Sequence, residues 1–335
     1  AALCPLVPGA QAGANEGGGS IERVPGSLGQ IRLNNKGELA GIVFSGGTAS
    51  VVIYKDGETT TLPGGPVSQG VQIADFDDQS EVLIRNNGQL EVHSAAGVRV
   101  LPQPVVGGGD PKAVGNGFGP TVSGEVLGIH DWEPTTQTNA VRYLGASPPQ
   151  VLTAISTVFA MNSAGQVFGQ LPGATKAYGV FDKGTVRSVD GLVGDKIYPM
   201  EWSDGGHLLY GADGLEQKYL WSDGASIPLT GGRPTNVNGK GMVSMVLPKD
   251  PGDPIPVERA GIRFADGEIK SVAELLGGIP AGWKTLQKSG QLNDRCDMLG
   301  AGLTENSEWV TFFAHIPNCE APSFDGNFFR VDNGP

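Results

Sequence analysis

The residues best suited to ligand contact stand in one short cluster, with a further aromatic residue much later in the chain. His130, Asp131, Trp132 and Glu133 are consecutive, and Trp283 follows a turn-rich segment that we expect to be exposed. An exposed indole beside carboxylates suits stacking on a sugar ring, with hydrogen bonds to its hydroxyls. The alternative is that Trp132 and Trp283 only pack their loops onto the scaffold.

The same region offers an enzymatic alternative, a polysaccharide lyase. In it, His130 or Tyr143 removes a proton while Arg142 neutralises the adjacent uronate carboxylate. Successive residues of a strand face opposite sides of a sheet, which counts against Arg142 and Tyr143 acting together. The sequence therefore favours a module that binds a glycan or a protein without catalysis, and it leaves enzymatic activity open.

Metal and cofactor sites have little support in the sequence. The chain has four histidines, and none shows the paired spacing of zinc ligands. Asp250 and Asp253 are weak candidates for a Ca²⁺ site, because no Asp-x-Asp-x-Asp-Gly loop surrounds them and a solvated turn is the simpler interpretation. Gly-x-Ser-x-Gly and phosphate-binding Gly-Lys-Thr motifs are absent from the sequence. We therefore expect no cofactor.

The composition indicates an acidic chain of short strands. Its 335 residues include 53 Gly and 24 Pro, which is typical of strands joined by tight turns. The formal net charge of −12 repels phosphate backbones, so we expect no nucleic-acid partner. No stretch approaches the ~20 apolar residues of a membrane-spanning helix. We expect a monomer.

The N-terminal segment points to export. Residues 1–19 are rich in Gly and Ala, and Ala10-Gln11-Ala12 has the A-x-A form that precedes a signal-peptidase site. The alternative is a disordered leader. We expect a secreted or periplasmic protein.

The cysteines agree with export. Cleavage after Ala12 would remove Cys4 and leave Cys296 and Cys319, and two cysteines in an exported chain usually pair. They flank a predicted hairpin with its turn near residues 304–308, so they should lie at disulfide distance across two strands. Two free buried thiols are the alternative.

A repeat of about forty residues organises the chain. Its clearest copy is Leu33-Asn34-Asn35-Lys36-Gly37-Glu38-Leu39, which returns around Gly165 and Gly241, while Ser80 and Cys296 replace the glycine in weaker copies. Each copy predicts a hairpin turn, because Asn and Asp favour turns and Gly adopts positive φ readily. Counted from the glycine or its substitute, the anchors are residues 37, 80, 124, 165, 206, 241 and 296.

A second hairpin follows most anchors about twenty residues later, as at Asp56-Gly57 and Asp223-Gly224. Each unit therefore contains four short antiparallel strands, which is the period of a propeller blade. We predict an all-β, seven-bladed propeller over residues 20–319, between the leader and a C-terminal tail at residues 320–335. The only helical turn is predicted near residues 271–276.

The two ends of the chain are predicted to meet. The last unit lacks a fourth strand, and the segment Ile21–Pro25 is at the right distance before the first anchor to supply one. We therefore predict that this segment pairs with the strand containing Phe312 and Phe313. Such pairing closes the ring and hides the strand edges.

The repeats resemble the extracellular HAF-repeat family, whose pattern runs Ile-Asn-x-x-Gly-x-Val-x-Gly, an aromatic strand, Gly, and Leu-Gly or Gly-Gly. The resemblance covers residues 20–316, and the units anchored at residues 37, 165, 206 and 241 match best. It implies a propeller and export. It implies no catalytic residues, because the motif is structural.

The predicted fold separates two rims. The turn rim carries the A–B and C–D turns of each blade, whose repeated Asn-x-x-Gly and Asp-Gly sequences we interpret as scaffold. The loop rim carries the B–C loops and the D–A connections between blades, where variable loops converge on the central channel. Three unusual segments fall there, namely residues 128–137, 248–254 and 279–284. We therefore predict that any ligand site lies on the loop rim.

Overall fold

The computed structural model describes residues 13–14, 19–68, 70–102, 116–118, 125–131, 138–144, 150–173, 176–213, 216–250 and 257–317. Across these residues the regular structure is antiparallel strand, apart from one helical turn. No helix in these ranges has the length and apolar character needed to span a membrane.

Six four-stranded blades follow one another along the described chain, each with its strands hydrogen-bonded in sequence order. After β1 (Gly13–Ala14) and β2 (Ser20–Arg23), their strands are β3 to β6 (Leu28–Leu33, Leu39–Ser45, Thr48–Lys55, Glu58–Thr61), β7 to β10 (Gln72–Phe76, Val82–Asn86, Gln89–Ser94, Gly97–Val100), β11 to β14 (Asn116–Phe118, Glu125–Asp131, Thr138–Leu144, Gln150–Leu152), β15 to β18 (Thr157–Met161, Val167–Gln170, Tyr178–Asp182, Thr185–Val189), β19 to β22 (Ile197–Trp202, Leu208–Ala212, Gln217–Ser222, Ala225–Leu229) and β23 to β26 (Arg233–Val237, Val243–Leu247, Arg259–Arg263, Ile269–Ser271).

The closing blade joins the two ends of the chain. It contains β27 (Trp283–Leu292), β28 (Asp297–Thr304) and β29 (Trp309–His315), and then β2 and β1, in the order β1-β2-β29-β28-β27. In β2, Glu22 pairs with Phe313 and Arg23 pairs with Phe312. The predicted closure by the N-terminal strand is confirmed. The sequence did not predict β1, a short fifth strand on the outside of this blade.

The repeated turns have one backbone conformation whatever residue occupies the anchor. Gly37, Gly165, Gly206 and Gly241 have φ between 74° and 79°. Ser80 and Cys296 adopt φ of 63° and 67° at the equivalent positions. Positive φ is uncommon for residues with a Cβ, so the neighbouring strands must impose it. The predicted anchors are therefore confirmed at the six positions that the structure describes.

The first residue of the turn motif connects neighbouring blades. In Asn34 the side-chain oxygen accepts the backbone N–H of Lys36 at 3.0 Å and of Glu38 at 2.9 Å, which closes the turn. The side-chain nitrogen is then free to donate to the next blade. We call this contact the amide clasp. It occurs from Asn34 to the carbonyl of Asp77 (2.9 Å), from Asn162 to that of Ser203 (3.1 Å), from Asn238 to that of Asn293 (3.0 Å) and from Asn293 to that of Asn34 (2.8 Å).

The core lies between the faces of adjacent blades. Between the fourth and fifth blades, for example, Phe168 stacks on Trp202 with ring centroids 5.6 Å apart. Buried aliphatic residues fill the other seams in the same way. Because each blade packs only on its neighbours, the ring must close for every blade to be covered on both faces.

The predicted helical turn is also confirmed. It is α1 (Val272–Leu275), and it begins with a capping box in which Ser271 and Glu274 each bond to the other's backbone N–H. These bonds satisfy two of the helix's unpaired donors. The turn lies on the loop rim, between the sixth blade and the closing blade.

Candidate functional site

The predicted site cluster lies at the end of a strand on the loop rim. His130 and Asp131 are the last two residues of β12, and β13 begins at Thr138. The loop between them is therefore a B–C loop, as predicted. Trp132 and Glu133 lie outside the described residues, so a ligand contact by this cluster remains a prediction.

Trp283 is not an exposed rim residue. It is the first residue of β27 and is only 7% exposed, which makes the expectation of an exposed indole wrong. Its ring meets Phe312 edge-on at 5.8 Å, and the guanidinium of Arg23 lies 5.9 Å from its centroid. The ring thus packs beneath the N-terminal strand, and this burial favours the alternative role of packing.

The three residues of the lyase alternative are spread along one hairpin. His130 pairs with Asn139, whereas Arg142 pairs with Leu127 and Tyr143 pairs with Val126. Three or four residues of strand separate His130 from the other two, which is on the order of 10 Å. The Tyr143 side chain is fully buried, and burial raises its pKa to about 12. This arrangement counts against a shared proton-abstraction site.

The weak metal candidates gain no support. Asp250 forms an ion pair with Arg259 at 3.7 Å, and Asp253 lies outside the described residues. The described ranges contain no group of three or more His, Cys, Asp or Glu residues arranged to hold a metal ion.

Only one of the two cysteines of the predicted disulfide lies among the described residues. Cys296 is buried, and its carbonyl accepts the N–H of Ile316 at 3.1 Å, three residues before Cys319. Cys319 itself lies outside the described residues. The bridge therefore remains a prediction.

Two of the predicted segments, residues 248–254 and 279–284, help to build a groove on the loop rim. It has a volume of about 600 Å³ and lies between the sixth blade and the closing blade. We call it the rim groove. Its wall is largely aliphatic, and its lining residues are Asp250, Val257, Arg259, Ala260, Ser271, Ala273, Glu274, Gly278, Ile279, Lys284, Thr285 and Leu286.

The charges of the rim groove are fixed by its own contacts. Arg259 pairs with Asp250, and Glu274 is held by Ser271, whose hydroxyl donates to it and lowers its pKa. Lys284 is exposed at the mouth, beside Ile279, whose side chain is 52% exposed. The groove thus presents an aliphatic surface with an ammonium group at its edge.

A second cavity, the axial mouth, opens on the turn rim. It has a volume of about 150 Å³ and is lined by the first residue of each described turn motif and the residue after it, together with residues one or two positions before the motif. The rim layer contains Asn35, Asp78, Ser163, Asp204, Gly239 and Asp294, and the deeper layer contains Asp75, Glu201, Asn236 and Gln291.

The carboxylates of the axial mouth mostly serve the seams between blades. Asp78 accepts the N–H of Asn35 at 2.7 Å, and Asp204 accepts that of Ser163 at 2.8 Å. Burial raises the pKa of Glu201 to about 7, and the nearby Asp75 carboxylate acts in the same direction. We therefore interpret the axial mouth as structural. Sequence reasoning missed it because residues that different blades contribute to the same layer are at least 35 positions apart in the chain.

The remaining histidines make contacts within their own blades. His93 contacts Glu91 at 3.0 Å, His207 contacts Ser222 at 3.0 Å and His315 contacts Asp297 at 2.6 Å.

Comparison with known proteins supports the fold and no particular family. No protein-family model matches the chain, and no curated protein sequence matches it. Among solved structures, YCF48 bound to D1 peptide has a TM-score of 0.50 and 10% identity, covering 91% of this chain and 99% of that one. The β-propeller domain of the Trilobed protease from Pyrococcus furiosus, described as having an open velcro topology, has a TM-score of 0.53 and 11% identity, covering 89% and 97%. TolB from Acinetobacter baumannii has a TM-score of 0.37 and 10% identity, covering 82% and 78%. The chain is an all-β propeller with structural similarity to these proteins.

Proposed function

We propose that this protein is a non-catalytic binding module that holds a segment of a partner protein in the rim groove. The observation that carries the proposal is the groove itself. It is formed by an interblade connection and the residues that flank a B–C loop on the predicted binding rim, and it exposes aliphatic surface. Concave, largely apolar sites with a few placed polar groups are the usual form of ligand sites.

The chemistry of the groove favours a peptide over a glycan. Sugars bind well on exposed aromatic rings, and the indole nearest this groove, Trp283, is buried. The groove instead offers Val257, Ala260, Ile279 and Leu286 for an apolar side chain. Lys284 would then face a carboxylate of the same peptide. The peptide complex of YCF48 is one example of a similar propeller that holds a peptide.

The test is selection of peptides from a phage-displayed library of random 12-residue peptides on the immobilised full chain. Selected peptides are then measured by calorimetry against Ile279→Arg and against Ile227→Arg. The second variant is a matched control, because Ile227 is 43% exposed and lies in β22, away from the groove. We expect Ile279→Arg to weaken binding at least tenfold and Ile227→Arg to leave it unchanged. No saturable binding, or equal losses in both variants, would contradict the proposal.

A charge reversal sharpens the same test. If Lys284 faces a carboxylate, then Lys284→Glu should weaken the selected acidic peptides and accept versions in which Lys replaces that acid. If Lys284→Glu loses the selected acidic peptides and does not bind the versions that contain Lys, then Lys284 does not recognise a carboxylate of the peptide.

The cluster from His130 to Glu133 is proposed as a second contact on the same rim. Trp132→Ala should then weaken binding by about 1–3 kcal/mol while the melting temperature stays the same. A destabilised variant with unchanged affinity would assign Trp132 to packing instead.

We further propose that the closing blade is the seventh blade of the ring, and that the chain is an exported member of the HAF-repeat family. The support is the repeat itself and the turn geometry at each described anchor. Expression with a cleavable signal, followed by mass spectrometry of the mature N-terminus and a solved structure, tests both statements. Retention of an uncleaved N-terminus inside the cell, or a ring of six or eight blades, would contradict them.

A further inference from the structure

The described part of the chain ends beside the connection that forms one wall of the rim groove. A Cβ placed on Gly19 would lie 2.7 Å from Pro317 Cδ and 2.7 Å from Leu276 Cδ2, so the Pro317 and Leu276 side chains meet at the same glycine. Ile316, just before Pro317, belongs to the same buried cluster as Leu276. Leu276 directly follows α1, and residues of α1 and of the segment 278–279 line the groove. The C-terminal segment therefore starts next to this groove wall.

The C-terminal tail, residues 320–335, is long enough to reach the groove. Ile279 lines the groove and follows Leu276 by three residues, so it lies within roughly 11 Å of the place where the C-terminal segment starts. The proposed disulfide would hold the chain at Cys319, and the 16 residues after it could then span up to roughly 50 Å. The length of the tail therefore permits contact with any part of the groove.

The rim groove has one charged group that its own contacts leave available. Asp250 and Arg259 form an ion pair, and Glu274 accepts hydrogen bonds from the Ser271 backbone N–H at 2.6 Å and hydroxyl at 2.7 Å. Lys284, in contrast, forms no ion pair with another residue that the structure describes. A carboxylate is therefore the charged group that the groove can accept without breaking an existing contact.

The tail contains the chemistry that the groove accepts. An apolar residue stands directly before an acid twice, as Phe324-Asp325 and as Val331-Asp332. An exposed ion pair contributes little, so apolar contact must supply most of the affinity, and a phenyl ring buries more surface than a valine side chain. Arg330, next to the second pair, would also bring a cation towards Lys284. The first pair therefore fits the groove better.

From these observations we propose that the tail occupies the rim groove of its own chain, with Phe324 on the aliphatic wall and the Asp325 carboxylate facing Lys284. The inference rests on the proposed function, because it takes the groove to be a peptide site, and it adds how access to that site is regulated. A segment on a short flexible linker has an effective concentration in the millimolar range. At ~1 mM, a tail with a Kd of ~0.1 mM occupies the groove about nine-tenths of the time and weakens a competing partner about tenfold.

Carbodiimide coupling of the full chain tests the contact, because the reagent joins a lysine amine to a carboxylate that touches it, forming an amide with loss of water. Peptide mapping should recover Lys284 linked to Asp325. Phe324→Ser keeps both reactive groups and should reduce the yield of this link about tenfold. Phe328→Ser is the matched control from the same tail and should leave the yield unchanged.

An equal mixture of ¹⁵N-labelled and unlabelled chains identifies which copy supplies the tail. We expect every Lys284–Asp325 link to join residues of one isotopic form. Links between the two forms would overturn the inference, because a second copy of the chain would then fill the groove. Links from Lys284 only to other acids, or none at all, would overturn it as well.

Peptides selected on the groove provide a second measurement, which separates this inference from the proposed function. Their Kd should be about tenfold lower for Phe324→Ser than for the unmutated chain, and unchanged for Phe328→Ser. Equal Kd values in all three proteins would overturn the inference and leave the proposed function supported. A Lys284–Asp325 link without saturable peptide binding to Phe324→Ser would contradict the proposed function and leave the tail as the occupant of the groove.

Discussion

The two rims of this propeller differ in what determines their structure. On the turn rim, the same backbone conformation recurs at each described anchor, including Ser80 and Cys296, and the amide clasps hold neighbouring blades together. On the loop rim, the connections differ from blade to blade, and one of them contains the helical turn α1 beside the rim groove. The turn rim therefore stabilises the fold through its backbone conformation and its clasps, whereas the loop rim can vary in sequence and is suited to recognition.

The largest expected effect comes from opening the ring, because this would disturb both rims at once. Deleting residues 1–26 removes β2 and exposes the surface that Ile21 and Val24 cover, both of which are buried. We expect the free energy of unfolding to fall by about 3–6 kcal/mol. Deleting residues 1–18 is the control, because it removes only β1. Equal melting temperatures for the two truncations would show that β2 does not close the ring.

A turn-rim residue should matter more than a loop-rim residue of similar size. Asn238→Ala removes the clasp to Asn293 and leaves the N–H groups of Lys240 and Met242 without their acceptor. The Met242 N–H is buried, whereas the Lys240 N–H is only partly buried, so at about 1–3 kcal/mol for a buried unsatisfied group we expect a loss of about 2–4 kcal/mol. Thr48→Ala in a B–C turn removes an exposed hydrogen bond and should cost less than about 0.5 kcal/mol. Similar losses in chemical denaturation would remove the distinction between the rims.

The sequence predicts the parts of the fold that local backbone chemistry determines. An Asn-x-x-Gly turn is determined by residues within four positions, and so is the Ser271 capping box. The pairing of β2 with β29 follows from a missing strand at one end and a spare strand at the other. The clasps are not predictable in this way, because Asn34 finds its acceptor 43 residues away.

Side-chain environments were harder to predict than elements. Trp283 follows Gly282 in a turn-rich segment, and that position suggests exposure. In the structure, the pairing of β27 with β28 shifts register between Trp283 and Thr285, and the Trp283 indole packs against Phe312. The rim groove and the axial mouth each combine residues from more than one blade. No periodicity within one blade reveals such a combination.

The proposed disulfide would strengthen the closing blade alone. Cys319→Ser leaves Cys296 in its buried turn and removes only the bridge. The bridge should contribute about 3 kcal/mol by restricting the unfolded chain. We expect peptide mapping without reductant to recover Cys296 and Cys319 as one linked pair, and the variant to melt earlier. Recovery of two free thiols would contradict the bridge and its support for export.

The smallest expected effect, and the most specific to the turn rim, concerns the turn of the second blade, where Asp77 stands in place of the motif Asn. Its Oδ1 accepts the N–H of Gln79 at 3.0 Å and of Glu81 at 2.7 Å, as the Asn oxygen does elsewhere. Its Oδ2 therefore occupies the position of the clasp donor, and it is buried without a partner among the described residues. Burial raises the pKa of Asp77 to about 7, and the neighbouring Glu81 and Asp78 carboxylates act in the same direction.

A protonated Asp77 resembles the Asn of the other turns, because it has a donor where the clasp needs one. Between about pH 4 and pH 7 the unfolded carboxyl is ionised while the folded one keeps its proton, so each added pH unit favours unfolding. The contribution to stability is complete below the unfolded pKa and is lost as pH rises through about 7. Asp77→Asn should therefore stabilise the protein by about 1–3 kcal/mol at pH 8 and by little at pH 4. Glu201 titrates in both proteins, so the difference between their denaturation curves isolates Asp77. A difference that does not depend on pH would mean that Asp77 is ionised in the folded state, and that this turn holds its blades by another contact.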